Sequence, residues 1–189
     1  MPNPNLKLLA DAARLLQPIL EELVFVGGCT TALLITDKAA ADVRPTLDVD
    51  AIAEITTYGG YVAFSEKLKK LGFREDTREG APSCRWRQHT TTLDVMPLEG
   101  SFLGFKTAWY APALATAEKR VLEPGLTILL INPVYFCASK VEAFRDRGKG
   151  DYQSSHDLED VISVIDGREE LVGEIKRPRM RSDLTSARK

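Results

Sequence analysis

Apolar residues near the N-terminus recur every three or four positions, which is the period of one helix face. The pattern predicts an amphipathic helix that ends near Glu22 and is kinked at Pro18. A short apolar strand over 23–26 follows and leads into two glycines, after which 32–35 predicts a second apolar helix. The positions that carry the first pattern are Leu6, Leu9, Ala13, Leu16 and Leu20.

Apolar and polar residues alternate in the first half of the stretch 46–55, which predicts a strand after a polar, alanine-rich loop. Asp48 and Asp50 share one face of this strand. The opposite, apolar face consists of Leu47, Val49 and Ala51.

The remaining apolar patterns predict an amphipathic helix, a hairpin, a buried strand and two further helices. Asn132 and the proline after it suit the start of the first of these two helices, because asparagine caps free amides and proline fits the first turn. The predicted ranges are 60–71 for the amphipathic helix, 84–88 and 92–96 for the hairpin, 126–131 for the strand, and 132–147 and 154–167 for the helices.

The composition is that of one ordinary globular domain, with 44% hydrophobic and 28% charged residues in a chain of 189. The longest apolar runs are far shorter than the ~20 residues of a membrane helix, and the N-terminus has no secretory pattern. We therefore expect a cytoplasmic protein that does not enter a membrane. Three widely spaced cysteines, Cys29, Cys84 and Cys137, indicate reduced thiols rather than disulfides or a zinc site.

Charge is distributed unevenly along the chain. The net charge is -2, but the last sixteen residues contain six basic and two acidic side chains, so the rest of the chain carries -6. A basic terminus of this kind either attracts nucleic acid or stays solvated and disordered, and both interpretations remain open.

The glycine pair between the first strand and the second helix is a candidate phosphate site. Glycine lets the backbone approach a ligand closely. The free amides of Gly28, Cys29 and Thr30 at a helix start favour an anion.

The two aspartates on the following strand form a candidate metal site. Two carboxylates ~4 Å apart at an effective dielectric near 20 repel by about 4 kcal/mol, and Asp94 in the predicted hairpin adds a third charge if its strand is a neighbour. Either a cation or a proton must relieve such a cluster, and carboxylates suit magnesium. The alternative interpretation of Asp48 and Asp50 is the solvent-facing side of an edge strand.

Three motifs together resemble a known superfamily. Phe25-Val26-Gly27-Gly28-Cys29-Thr30, Arg44-Pro45-Thr46-Leu47-Asp48-Val49-Asp50 and Leu93-Asp94-Val95 are similar to the glycine motif, the D-x-D motif and the third aspartate of DNA polymerase beta-like nucleotidyltransferases. Within this superfamily the chain resembles the AbiEii/AbiGii toxin-type group, which also has later motifs similar to Lys140-Val141-Glu142-Ala143 and His156-Asp157-Leu158-Glu159-Asp160. The resemblance extends over about residues 23–166.

The resemblance implies an α+β fold, a nucleotidyltransferase palm whose mixed, mostly antiparallel sheet is flanked by helices, with a short C-terminal helical part. It implies transfer of a nucleoside monophosphate from a nucleoside triphosphate to an acceptor hydroxyl. Asp48, Asp50 and Asp94 would be the catalytic residues and would hold two Mg²⁺ ions, or Mn²⁺ in their place, with Asp94 as the base. Gly27, Gly28 and Thr30 would bind the triphosphate. The expected domains are a nucleotidyltransferase palm over 1–131, a C-terminal helical segment over 132–172 and a basic tail over 173–189, whose disorder stays open.

Three further residues are candidate nucleotide ligands. Lys140 interrupts an apolar stripe between Phe136 and Phe144, so its ammonium must reach water or meet an anion, and the resemblance implies the nucleotide phosphates. Asp157 is an active-site acid by resemblance, or it is part of a helix capping box by its spacing from Ser154. Arg44 either binds phosphate or braces its loop.

The acceptor and the partners stay open at this stage. A toxin that acts on RNA, with a cognate antitoxin as partner, suits the basic tail. Transfer to a small molecule such as an aminoglycoside suits the acidic body. A nucleotide-binding domain of the same fold without turnover is the third alternative.

Overall fold

Seven strands form one mixed sheet with helices on both faces in the computed structural model, which describes residues 3–103 and 107–176. The α-helices are α1 Pro4–Leu15, α2 Thr31–Leu34, α3 Tyr58–Lys70, α4 Tyr110–Ala115, α5 Pro133–Arg147, α6 His156–Gly167 and α7 Leu171–Lys176. The strands are β1 Leu23–Val26, β2 Val49–Ala53, β3 Arg74–Glu75, β4 Arg85–Gln88, β5 Thr91–Pro97, β6 Glu118–Glu123 and β7 Leu126–Leu130.

The strands lie in the order β3-β4-β5-β2-β1-β7-β6. Strand β2 pairs with β5 and β1 with β7 in parallel, and the other four pairings are antiparallel. The predicted fold class, a mixed and mostly antiparallel sheet flanked by helices, is confirmed.

Alternate side chains of the central strands point into two hydrophobic cores. Helices α1 and α3 cover the face that contains Phe25, Ala51 and Val95. Helices α4 to α7 cover the other face, which contains Val26 and Ile52. Burial on both sides explains why β1 is uniformly apolar and why Asp50 is the one polar residue of β2.

The N-terminal helix is shorter than its apolar pattern predicts. Helix α1 ends at Leu15, and a 3-10 helix, Gln17–Glu22, takes the place of its predicted last turns. The physical reason is Pro18, which lacks an amide hydrogen and crowds the preceding turn. Buried Leu16 and Leu20 still continue the apolar stripe.

Strand β2 starts later than predicted. It begins at Val49, so Asp48 lies just before it, and Leu47 is 88% exposed instead of belonging to the buried face. Val49 and Ala51 are fully buried as predicted. Alternation placed the two aspartates on one side of the strand but did not define where the strand begins.

The later elements agree with the apolar patterns where those patterns were regular. The hairpin of β4 and β5 and strand β7 are confirmed, and Asn132 caps α5 by accepting a hydrogen bond from the amide of Val134. Elements α4, β3, β6 and α7 were not predicted. Residues 173–176 of the predicted tail are helical in α7, and 177–189 lie outside the described residues.

The long loop between the glycines and β2 folds back onto α1. Asn5 is buried, and its amide nitrogen donates to the carbonyl of Arg44 at 2.8 Å while its amide oxygen accepts from the nitrogen of Thr46 at 2.9 Å. At the other end of the loop, the amides of Thr36 and Asp37 donate to the carbonyl of Gly167. These contacts attach one end of the loop to α6 and the other end, just before β2, to α1.

Replacing Asn5 by leucine should loosen this loop. Asn5→Leu keeps the side-chain volume but leaves the half-buried carbonyl of Arg44 and amide of Thr46 without their partner, so we expect a loss of about 1–2 kcal/mol in the free energy of unfolding. Urea denaturation measures this loss. An Asn5→Leu protein as stable as the wild type would show that the two hydrogen bonds do not hold the loop.

Within the described parts of the chain, no helix has the length and apolarity needed to cross a bilayer.

Candidate functional site

Four side chains line up across neighbouring strands at one end of the sheet. Asp50 of β2 is the register partner of Val26 in β1 and of Asp94 in β5, and Asp94 is in turn the partner of Arg85 in β4. Register partners point to the same face of a sheet, with Cβ atoms roughly 5 Å apart. Two of the three predicted catalytic acids, Asp50 and Asp94, are therefore neighbours, on the face that α5 and α6 cover.

Arg85 connects two of the three predicted acids. Its Nε donates to Oδ1 of Asp94 at 2.8 Å, and its Nη2 donates at 2.7 Å both to Oδ2 of Asp94 and to Oδ2 of Asp48. Hydrogen bonds to Asp94, followed by the charges of Asp94 and Asp48, raise the pKa of Arg85 despite its partial burial. Asp48, Asp94 and Arg85 thus form one ionic cluster.

Asp50 lies directly against the glycine turn. A Cβ placed on Gly27 would be 1.9 Å from Oδ2 of Asp50, and the φ angle of Gly27 is +73°. Both the contact and the backbone angle require glycine here. The first predicted glycine and the second predicted acid are in direct contact.

The carboxyl group of Asp50 is electrostatically penalised in the folded protein. Burial and, to a smaller extent, the charges of Asp48 and Asp94 raise its pKa to about 7, against the opposing effect of Lys140. No salt bridge reaches Asp50 from the rest of the described chain. A cation beside Asp50 would therefore be strongly favoured above neutral pH.

The raised pKa of Asp50 predicts a specific pH dependence of stability in metal-free buffer. Between about pH 4 and pH 7 the folded protein retains a proton that the unfolded chain has lost, so this group makes the free energy of unfolding fall as pH rises. Asp50→Asn removes the effect. The melting temperature of Asp50→Asn minus that of the wild type should therefore increase from pH 4 to pH 8, and a difference independent of pH would contradict this electrostatic description.

The turn after β1 is held by its own side chains. The hydroxyl of Thr30 is buried and donates to the carbonyl of Gly27 at 2.8 Å, and the thiol of Cys29 points to the carbonyl of Val26. The helix that follows, α2, has only four residues, so the predicted helix at 32–35 is short. The hydrogen bond of Thr30 stabilises the conformation of the turn. Its contact with a nucleotide stays a prediction.

A second ionic cluster lies on the helices above the sheet. Nζ of Lys140 in α5 is 2.7 Å from Oδ2 of Asp160 and 3.1 Å from Oδ1 of Asp157, both in α6. Burial opposes the charge of Lys140, but the carboxylates outweigh burial and raise its pKa. The sequence predicted that Lys140, within an apolar stripe, must reach water or meet an anion. The anions it meets are the carboxylates of Asp157 and Asp160.

Asp157 does not serve in a capping box. The N-cap of α6 is Ser155, which accepts a hydrogen bond from the amide of Leu158. The carboxylate of Asp157 accepts hydrogen bonds from Lys140 and, at 3.0 Å, from Nε and Nη2 of Arg147. Burial disfavours its charge, but these cations outweigh burial and lower its pKa.

Arg44 joins this second cluster to the glycine turn. Its Nη2 is 3.2 Å from Oδ2 of Asp160. A Cβ placed on Gly28 would be 3.0 Å from the same Nη2 and 3.3 Å from the same carboxylate oxygen. Gly28, Arg44, Lys140 and Asp157 are thus brought together around Asp160.

Several residues of the site were not predicted from the sequence. Asp160 belongs to the motif quoted for the resemblance but was not selected, although its side chain is 2% exposed. Arg85 was seen only as part of a strand; its register with Asp94 was the signal that could have identified it. Tyr110 lies in α4, in a region without a regular pattern, and burial followed by the charge of Asp50 raises its pKa.

The three aspartates offer the hard oxygen donors that magnesium prefers. In the present arrangement Arg85 occupies the space between Asp48 and Asp94, and within 3–103 and 107–176 no group of three ligand side chains is placed to hold an ion. The donor types and the charge on Asp50 fit a divalent cation, whereas the position of Arg85 opposes one.

A cavity of about 770 Å³ lies at the opposite end of β1 and β2, beside Val24 and Ala53. Its mouth carries Glu21, Glu22 and Glu54. Its position separates it from the row of carboxylates.

The chain is similar in structure to nucleotidyltransferase-like proteins. An antigenic nucleotidyltransferase-like protein from Paracoccidioides brasiliensis matches with a TM-score of 0.59 at 19% identity, over 87% of this chain and 77% of that one. The antibiotic-resistance factor ANT(2'')-Ia matches in a solution structure with a TM-score of 0.54 at 14% identity, over 93% of this chain and 90% of that one. A crystal structure of ANT(2'')-Ia in complex with adenylyl-2''-tobramycin gives the same TM-score and identity, over 90% of this chain and 92% of that one.

No family model and no curated protein matches the sequence. The structural matches therefore concern the fold, and the fold of this chain is that of nucleotidyltransferase-like proteins.

Proposed function

We propose that this protein is a metal-dependent nucleotidyltransferase that transfers a nucleoside monophosphate from a nucleoside triphosphate to an acceptor hydroxyl. The observation that carries the proposal is the direct register of Asp50 with Asp94, next to Gly27 at the end of β1. The similarity of the fold to nucleotidyltransferase-like proteins supports it. The finer assignment to the AbiEii/AbiGii toxin-type group is part of the proposal and rests on the sequence motifs.

Each residue of the site has a role in this proposal. Asp48, Asp50 and Asp94 would hold the divalent cations, which supply charge neutralisation at the transferred phosphorus and at the leaving oxygen. The acceptor oxygen forms a bond to the α-phosphorus, the bond from that phosphorus to the bridging oxygen breaks, and pyrophosphate leaves. Asp94 accepts the proton of the acceptor hydroxyl, for which it must be released from Arg85.

The second cluster would position the triphosphate. Gly28 brings the backbone of the turn close to Arg44, so a triphosphate bound at the turn would be near the guanidinium of Arg44 and the ammonium of Lys140. Thr30 and Gly27 would shape the turn under the phosphates. Asp157 would hold Lys140 in place rather than contact the nucleotide's negative charge.

Two classes of acceptor, an RNA end and an aminoglycoside, are candidates for the hydroxyl that receives the nucleotide. An RNA end is the acceptor that the basic residues after 173 favour, and in that case an antitoxin would be the regulating partner. An aminoglycoside is the second candidate, because one structural neighbour was solved with an adenylylated tobramycin and the body of the chain is acidic. Both would use the same carboxylates.

The experiment that tests the proposal incubates the full chain with Mg²⁺ and each α-labelled nucleoside triphosphate, in separate reactions with total RNA and with tobramycin. Label that appears on RNA supports the first acceptor, and label on tobramycin alone supports the second. Calorimetry with each triphosphate accompanies the assay. Triphosphate binding without transfer to either acceptor would leave the third alternative, a binding domain without turnover.

A further inference from the structure

Arg85 is placed by the sheet to meet the acidic row. Strand β4 turns Trp86 into the core, fully buried, so Arg85 and Arg87 point to the opposite face. Arg85 is the register partner of Asp94, whereas Arg87 is opposite Thr92. The same strand therefore presents one arginine to the acids and a second arginine to Thr92 on one side and to Arg74 of β3 on the other.

The guanidinium of Arg85 occupies the position where a shared cation would be expected. Its Nη2 is 2.7 Å from one oxygen of Asp48 and 2.7 Å from one oxygen of Asp94, and Nε holds the other oxygen of Asp94. A divalent ion would require these oxygens at roughly 2.0–2.1 Å for magnesium. One nitrogen and one metal ion cannot both fill the space between them.

The third acid remains outside this arrangement. Asp50 is next to Asp94 in the row and forms no salt bridge with any cation in the described residues. The single charge of Arg85 therefore leaves part of the acidic cluster uncompensated. A divalent ion that contacts all three carboxylates would compensate the cluster better than Arg85 does.

We propose that Arg85 is an internal counter-cation that holds Asp48 and Asp94 in the metal-free protein and is displaced when a divalent cation binds. This proposal rests on the proposed function, because it concerns the same carboxylates. Arg85 acts as a positioning residue: it keeps two acids together and it competes with the metal. The side chain is 23% exposed, so the guanidinium has a route to solvent when it withdraws.

The proposal predicts that removal of the guanidinium tightens metal binding. The test titrates metal-free protein with Mn²⁺ alone and measures free Mn²⁺ by electron paramagnetic resonance. Arg85→Met, which keeps the length and removes the charge, should bind Mn²⁺ roughly tenfold more tightly than the wild type, since metal binding no longer breaks charged hydrogen bonds. Arg85→Lys keeps the positive charge but lacks the planar guanidinium, so its affinity for Mn²⁺ should lie between those of Arg85→Met and the wild type. It serves as the test variant if Arg85→Met does not fold. Arg87→Met is the matched control and should bind as the wild type does.

Thermal unfolding gives an independent readout. In EDTA, Arg85→Met should melt below the wild type because its carboxylates repel without a counter-charge, and Mn²⁺ should raise its melting temperature more than that of the wild type. If the role of Arg85 were purely structural, Arg85→Met would melt below the wild type both in EDTA and with Mn²⁺, and Mn²⁺ would raise the melting temperatures of the two proteins equally.

The outcomes separate the two proposals. Equal or weaker Mn²⁺ binding by Arg85→Met, while the wild type binds Mn²⁺, overturns the role of Arg85 and leaves the transferase proposal standing. Absence of Mn²⁺ binding in both proteins overturns both proposals. Tighter binding by Arg85→Met together with no transfer by any of the proteins supports the role of Arg85 and overturns the transferase.

Discussion

Asp50→Asn should abolish nucleotide transfer while the protein remains as stable as the wild type or becomes more stable. Asp50 would act by holding the cation that neutralises negative charge in the transition state, and loss of such electrostatic stabilisation costs roughly 10²- to 10³-fold in rate. A neutral amide beside Asp94 would be a much weaker ligand for that cation. The folded state gains because a desolvated carboxyl group, whose pKa burial raises to about 7, no longer has to ionise. Transfer assays and melting curves in EDTA at pH 8 measure the two effects.

Asp48→Asn is the informative comparison for Asp50→Asn. Asp48 also belongs to the proposed metal site, so its replacement should reduce transfer similarly. It is, however, hydrogen-bonded to Arg85, so Asp48→Asn should not raise the melting temperature. Relief of repulsion is therefore expected from the replacement of Asp50 alone. A large loss of stability in Asp50→Asn would contradict the account of its electrostatics.

Lys140→Met should cause a large loss of stability. The substitution leaves Asp160 and Asp157 with only their arginine partners, and removal of one member of a buried ion pair typically costs 3–5 kcal/mol. We expect about 3 kcal/mol, because Arg44 and Arg147 still provide some compensation. In a chain of this length, that corresponds to a fall in melting temperature of roughly 6–12 °C.

Arg147→Met provides the matched control for Lys140→Met. Arg147 pairs with the same Asp157, but its side chain is 71% exposed, so its replacement should change stability by less than about 1 kcal/mol. Calorimetric titration with triphosphate then tests the proposed phosphate contact, which Lys140→Arg should preserve better than Lys140→Met. If both Lys140→Met and Arg147→Met melt as the wild type does, the second cluster does not stabilise the fold.

The local patterns of the sequence are enough to predict the individual strands that lie at the centre of the sheet. Alternation placed Asp48 and Asp50 on one side of β2, and the hairpin pattern placed Asp94 in a strand, because burial of one strand face imposes a period of two. The cap at Asn132 and the apolar stripe around Lys140 were equally local signals. These features depend on residues that are close in the chain.

Features that depend on distant residues could not be predicted in this way. The parallel pairing of β2 with β5 and the pairing of β5 with β4 bring Arg85 to Asp94 and Asp48, and no local pattern reports that register. Asn5 contacts residues 39 and 41 positions away, and Asp160 meets Arg44 across 116 positions. Proline ended α1 early, and the region around Tyr110 had no regular period.

The metal site is tested by anomalous diffraction from crystals of the full chain soaked with MnCl₂ and a non-hydrolysable triphosphate. We expect a manganese peak bounded by Asp48, Asp50 and Asp94, with triphosphate density beside Gly27 and Gly28 and with the guanidinium of Arg85 moved away from both acids. The account would be contradicted by crystals that contain the triphosphate while Arg85 still joins Asp48 to Asp94 and no manganese lies at the three carboxylates.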